Sequence, residues 1–404
     1  MTEAKTSGYD MVIVGAGPAG LAAGIAARKC GLRAVILEKG ESAGPLPRGE
    51  GIHRYPLLDE VLGMDFWEKD CYRMDCSVVY HSPNDLHTTR KQGTRDIFFF
   101  EWRRLIERLV DSAQKAGVEI IYNAEVLGPI EGNDNSCRGL RYRFEQKDER
   151  LIYGKAVLAC DGYNSVLGRH YGIDYRTINC PMVKCIADNT PVLSSSEPDL
   201  QFYLIGSGDL SYAPDIPPCV VYAFPIGGRK MELGLMLRMG KDAPKGVRIP
   251  DPKELMTVWG HLKKDYPGFS RYFQGAQIEY EYATAMSNAR MVKEVVPARG
   301  IVLIGDSAGF VDPFGSSGIY SGIAMATFWV NLLAGGMRRG PGTFWGKKEI
   351  GNYLRSFRHS GICRHINKSY ARVGIFEWYL YRYLRTAKHI NRRWGMIKKL
   401  LSLA

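Results

Sequence analysis

Met11-Val12-Ile13-Val14-Gly15-Ala16-Gly17-Pro18-Ala19-Gly20 is the stretch from which the fold can be read. Four apolar residues, three of them β-branched, suit a buried parallel strand, and the glycines after them open a helix. Gly15 makes the tight turn, Gly17 lets a phosphate approach the backbone, and Gly20 lets helix and strand pack closely. Beginning at Pro18 and Ala19, the helix offers free N–H groups and the positive end of its dipole to an anion. The next apolar run, Ala34-Val35-Ile36-Leu37, ends at Glu38 and Lys39, and Glu38 can accept hydrogen bonds from two ribose hydroxyls. Strand, glycine turn, helix, strand and acid together indicate a dinucleotide-binding unit.

Further apolar runs extend this sheet. Val118–Ile121, Ala156–Cys160 and Gly300–Ile304 read as strands, the first preceded by an amphipathic helix expected over Phe98–Gly117. Between Val183 and Tyr282 the pattern changes to short strands separated by glycine and proline turns, as in an antiparallel sheet. The expected fold is α/β: a Rossmann-like dinucleotide-binding domain in three parts (1–80, 98–178 and 286–336), an inserted antiparallel-sheet substrate domain (179–285) and a basic, aromatic-rich helical C-terminal region (337–404). Asp251-Pro252 opens one helix of the insert with a capping acid followed by proline.

Two distant motifs decide which dinucleotide is meant. Leu158-Ala159-Cys160-Asp161-Gly162 and Ile304-Gly305-Asp306-Ser307-Ala308-Gly309 are similar to the DG and GD fingerprints of flavoproteins of the aromatic-hydroxylase structural class. The resemblance implies FAD, with Asp306 on its ribityl chain and a helix N-terminus after the glycine-rich loop facing the flavin. A helix dipole there suits the negative charge of reduced flavin. Asp312-Pro313-Phe314-Gly315-Ser316-Ser317-Gly318-Ile319-Tyr320 further resembles the geranylgeranyl reductase family, as does Tyr222-Ala223-Phe224-Pro225. In this sequence Arg48 stands about where that family often has cysteine.

The resemblance implies an enzyme that saturates carbon–carbon double bonds of a prenyl lipid by hydride transfer from reduced FAD. Cofactor contacts are then expected from Gly15, Gly17, Pro18, Ala19, Gly20, Glu38, Lys39, Arg48, Asp161, Gly162, Gly305, Asp306, Pro313, Gly315, Ser317, Gly318 and Ile319. Glu50, His53 and Tyr222 are the candidate catalytic groups, His53 as an acid or as a phosphate-facing or solvated ring, Tyr222 as a reacting phenol or a packed strand aromatic. The reductant is external, NAD(P)H or a ferredoxin-like donor, because only one dinucleotide motif is present. A flavin monooxygenase or halogenase acting on a small aromatic or apolar substrate is the alternative.

Charge is unevenly spread. From Arg338 onward there are 16 Lys and Arg against Glu349 and Glu377, more than the whole chain's net +12, so the preceding body is close to neutral. The tail interleaves cations with Phe376, Trp378, Tyr379, Tyr381, Tyr383 and Trp394, which suits an anionic membrane surface or else a solvated or core-packing helix. Nucleic acid is not expected, since no base-reading module accompanies the charge. Nine scattered cysteines and a polar N-terminus suggest a cytoplasmic protein, peripheral at the membrane, with reduced thiols and no metal site. Gly318–Gly336 has the length of a membrane span, yet its Gly, Ser, Thr and Asn content reads as a buried helix.

Overall fold

The computed structural model describes residues 8–402 apart from 45, 75–76, 92–96, 191–198, 207–209, 211–215, 238–249, 314–316, 341–343 and 385. Strand β1 (Tyr9–Val14), helix α1 (Pro18–Lys29) and strand β2 (Ala34–Leu37) form the expected unit, with β1 and β2 parallel from Met11 opposite Ala34 to Val14 opposite Leu37. Met11–Val14 and Ala34–Leu37 are buried on both strand faces, as a covered parallel sheet requires. Glu119–Ile121 extends the sheet beyond β2, and Asp148–Ala159 and then Ile301–Leu303 extend it beyond β1, all in parallel. Asp148–Ala159 serves twice, since its first half pairs antiparallel with Cys137–Phe144.

These five parallel strands therefore end on one edge, at Ile121, Leu37, Val14, Ala159 and Leu303. In open parallel sheets this carboxyl edge is where ligands bind.

A second seven-stranded sheet runs Gln277–Met286, Cys180–Asp188, Lys230–Leu237, Cys219–Gly227, Leu200–Ile205, Val78–His81, Thr88–Lys91. It is antiparallel except where Val78–His81 pairs parallel with Leu200–Ile205. Its last two strands come from a stretch that the sequence reading leaves partly with the first unit and partly unassigned. Strand alternation sorts its residues: Val183, Cys185, Val221 and Leu233 pack on the helix Pro252–Asp265, while Lys184, Tyr222, Phe224 and Glu232 occupy the opposite face. That helix starts as expected, with the Asp251 carboxylate accepting the Glu254 N–H at 2.8 Å.

Strand β3 (Gly49–His53) joins the two units. It pairs antiparallel with Ile97–Glu101, so the helix expected from Phe98 begins only at Trp102. The buried run Phe98-Phe99-Phe100 fits a pleated sheet better than one helix stripe.

The 20-residue helix Ile319–Arg338 is long and apolar enough to cross a membrane, but 61% of its apolar window is buried and it packs along α1. The basic C-terminal region is also folded into the molecule. Tyr353, Phe357 and Ile366 join the main core, and Leu384, Ile390, Trp394 and Ile397 cluster with Leu204 of the second sheet.

Candidate active site

The carboxyl edge of the first sheet gathers all three motifs. Gly15 has φ +91°, and a Cβ there would lie 2.7 Å from the Cys160 carbonyl oxygen. A Cβ on Gly20 would lie 1.9 Å from the Gly15 carbonyl oxygen, whereas one on Gly17 would meet nothing within 4 Å. The first and last glycines thus serve close packing, and the middle one leaves the backbone open. Pro18 occupies the first turn of α1, behind an N-cap without a side-chain hydrogen bond. Glu38, buried, accepts the Ala16 N–H at 2.7 Å on Oε2 and the Gly40 N–H at 2.8 Å on Oε1, so it braces the turn with lone pairs still available to hydroxyls. Lys39 is exposed.

Opposite this turn, Asp161 accepts the Val166 N–H at 2.8 Å through Oδ2, while its Oδ1 is buried with no partner among the described residues. Burial holds this carboxyl above its ordinary range. Gly162 and Gly305 both take left-handed conformations, φ +79° and +65°. Asp306 is pushed up to about 6, by burial first, with Arg48 opposing and Glu50 adding to the rise. A Cβ on Gly318 would lie 3.2 Å from Asp306 Oδ1, which sets that acid at the start of the helix Ile319–Arg338. Pro313 and Ile319 are buried, and Ser317 exchanges two backbone hydrogen bonds of 3.1 Å with Asp312. Gly315 lies outside the described residues. Ala19, Gly305 and Gly322 bring the N-terminal ends of both helices together.

A pyrophosphate-bearing dinucleotide fits these residues. Gly17 would let the phosphates near the N-terminus of α1, Glu38 would take the ribose, and Asp161 and Asp306 would take hydroxyls elsewhere on the ligand.

Near Asp306 lies an ionic cluster, buried at Lys184 and Glu232 and partly exposed at Arg48 and Glu50. Glu50 is bound by Arg48, whose guanidinium lies 3.3 Å from the centre of the Trp102 ring, and by Lys184 Nζ at 3.5 Å. Lys184 also reaches Glu232 Oε1 at 3.1 Å, Glu232 Oε2 accepts the Gly49 N–H at 2.7 Å, and the Tyr222 hydroxyl donates to Glu232 Oε1 at 3.3 Å. Burial works to raise Glu50, but Lys184 and Arg48 prevail and hold it low; Glu232, wholly buried, is held high. Burial and the nearby Glu232 push the Tyr222 phenol well up. Glu50 and Tyr222 are thus brought together, while His53 sits exposed at the end of β3 with its ring 6.5 Å from that of Tyr55.

A family model described as FAD binding domain matches residues 8–209, half of the chain. The chain belongs to this FAD-binding family. Its cofactor is FAD. A digeranylgeranylglycerophospholipid reductase from Methanococcoides burtonii is 27% identical over 315 residues, covering 77% of this chain and 71% of that protein. A geranylgeranyl bacteriochlorophyll reductase-like structure from Thermoplasma acidophilum superposes with a TM-score of 0.75 at 20% identity, covering 95% of this chain and 90% of that one. The flavin-dependent brominase Bmp2 shares the fold at a TM-score of 0.67 and 17% identity, covering 98% and 93%. This FAD-binding protein is an FAD-dependent oxidoreductase.

Lys184 and Glu232 escaped the sequence reading. Their signal is a single charge inside an otherwise apolar strand, in Val183-Lys184-Cys185-Ile186 and Met231-Glu232-Leu233. A further tie appears only in the fold: His365 and Ser369 of the helix Gly361–Tyr383 hold Asp312, and Tyr370 donates to the Gly309 carbonyl at 2.7 Å.

Proposed function

We propose that this protein reduces carbon–carbon double bonds in the prenyl chains of a geranylgeranyl-type lipid, supplied with electrons by NAD(P)H or a ferredoxin-like donor. The observation that carries the reading is the aromatic and aliphatic surface that the second sheet turns toward β3, beside the ionic cluster of Glu50, Lys184 and Glu232. Tyr222 and Phe224 stack with ring centres 5.8 Å apart, Phe224 meets Phe99 at 5.4 Å, and Leu204 and Val220 continue the face to a small apolar pocket closed by Phe376 and Ile390. Such a surface suits a hydrocarbon chain and excludes water. The names of the digeranylgeranylglycerophospholipid reductases that this chain resembles point to the same substrate class.

FAD, once reduced, supplies the hydride. An isolated alkene is a poor hydride acceptor, so the chain's own task is to align it and keep the site dry. Tyr222 and Phe224 belong to this face, and Glu50 and Tyr222 are its candidate groups for handling a proton. The two helix N-termini favour negative charge on the bound cofactor.

Lipid substrates reside in bilayers, and we place the protein at the cytoplasmic face of an anionic one. Ile375 is 61% exposed and Trp378 43% exposed on the helix Gly361–Tyr383, amid Arg364, Lys368, Arg372 and Arg382. Apolar side chains beside cations support docking in a lipid interface.

Anaerobic mixing of the reduced enzyme with a geranylgeranyl phospholipid tests the function. Return of the yellow flavin absorbance together with lipid two hydrogens heavier is expected. A flavin that stays reduced until oxygen is added, and then modifies an aromatic substrate, would favour a monooxygenase instead.

A further inference from the structure

The helix Gly361–Tyr383 meets the cofactor edge along the first half of its inner face. Cys363 and Ile366 belong to the main core, His365 Nε2 lies 3.1 Å from Asp312 Oδ2, and Ser369 donates to the other oxygen of that carboxylate. Tyr370 donates to the Gly309 carbonyl at 2.7 Å. Asp312 exchanges backbone hydrogen bonds with Ser317, and the next residue, Gly318, adjoins Asp306. A short run of direct contacts therefore joins this helix to the loop and the helix N-terminus that fit the dinucleotide.

The outer face of the same helix is turned to solvent. Arg364, Lys368, Arg372, Ile375, Trp378 and Arg382 recur every three or four residues, so they form one stripe, and all six are exposed. Trp378 stands about 14 Å beyond Ser369 along the helix axis. Beneath this second half the packing is looser. Phe376 and Ile390 roof an apolar pocket whose floor is Leu204, Ile205 and Val220 of the second sheet, and atoms facing such a gap forgo dispersion contacts. The helix is thus pinned at the cofactor loop and has slack where it would face lipid.

We propose that the helix Gly361–Tyr383 couples the two surfaces, so that an anionic lipid interface and FAD each strengthen the binding of the other. The inference rests on the lipid docking of the proposed function and adds its regulation. An interface that immobilises Ile375 and Trp378 takes up the slack over the pocket, and the steadied helix holds Gly309 and Asp312 in place for the cofactor. Ordering of that loop by FAD steadies the helix in turn, and thermodynamic linkage makes the two effects equal in size. Cofactor-loaded protein then collects at the bilayer where a prenyl lipid resides, and the apoprotein is released from it.

The test uses the full-length protein, with and without FAD, and vesicles of phosphatidylglycerol. FAD should bind about tenfold more tightly in the presence of vesicles by fluorescence titration, and vesicle affinity should fall by the same factor when FAD is removed. His365→Ala with Ser369→Ala should still sediment with vesicles, while its FAD affinity no longer responds to them. Val220→Leu, which fills part of the pocket and leaves every hydrogen bond of the grip intact, should shrink the response independently. FAD affinity that is the same with and without vesicles that do bind the protein overturns the proposal, as does a full response in both variants. Vesicles that bind neither the loaded protein nor the apoprotein overturn the lipid-docking reading instead, and the coupling with it.

Discussion

His365 Nε2 lies 3.1 Å from Asp312 Oδ2, so the C-terminal helix grips the loop that leads into the helix Ile319–Arg338. Ser369, one turn further on, donates to the other oxygen of the same carboxylate. The basic region is thereby part of the frame around the cofactor edge. Replacing both His365 and Ser369 by alanine should weaken FAD binding by about tenfold, the worth of one charge-assisted hydrogen bond, with the fold retained. Fluorescence titration of the apoprotein with FAD checks this, and equal affinity would show that the grip is irrelevant to the cofactor.

The glycine turn supplies a contrast between packing and ligand approach. Gly20→Ala forces a Cβ to 1.9 Å from the Gly15 carbonyl oxygen, which the backbone cannot accommodate, and should destabilise the protein by more than about 3 kcal/mol or prevent folding. Gly17→Ala meets only open space and should cost the apoprotein about 1 kcal/mol or less, as at other helix N-caps, while FAD affinity falls sharply. Thermal unfolding with and without FAD separates the two; similar losses in both variants would contradict the assignment.

Asp306 makes stability depend on pH with a definite sign. Its folded-state value of about 6 lies above the ordinary 3.8, so between these values the folded protein binds more protons than the unfolded chain and loses stability as pH rises. Asp306→Asn should therefore stabilise the apoprotein at pH 7 by about 1–3 kcal/mol and leave it nearly unchanged near pH 3.5. Denaturant melts at both pH values are the measurement. A difference that does not grow with pH rules out a raised Asp306.

Docking on lipid is best tested by point substitution, because Tyr353, Phe357 and Ile366 of the C-terminal region belong to the main core and deletion would expose it. Ile375→Ser with Trp378→Ser should cut sedimentation with anionic phosphatidylglycerol vesicles by tenfold or more, since each side chain contributes about 1.5–3 kcal/mol when buried. Binding that survives this pair would place the lipid-facing surface elsewhere.

Local signals announced the nucleotide-binding half of this protein. Gly15, Gly20 and the apolar runs of β1 and β2 act through contacts a few residues apart, so their spacing alone determines the turn, the parallel strands and the room for a phosphate. The fingerprints around Asp161 and Asp306 are equally local, each a turn after a buried strand. Phe98–Phe100 misled for the same reason, since an aromatic run carries no mark of which partner, helix or strand, will cover it until Gly49–His53 pairs alongside.

Tertiary structure alone decided the chemistry between the units. Glu50 and Lys184 are separated by more than a hundred residues in the chain, and nothing in either neighbourhood tells that one will meet the other, or Glu232, away from water. His53 looked as suitable as Glu50, yet strand geometry left it exposed. The basic tail suited a membrane surface or a packing helix, and only the fold brings Ser369 and Tyr370 against the flavoprotein loop. Charge and periodicity report what a residue prefers, whereas burial and pairing depend on which distant segment arrives beside it.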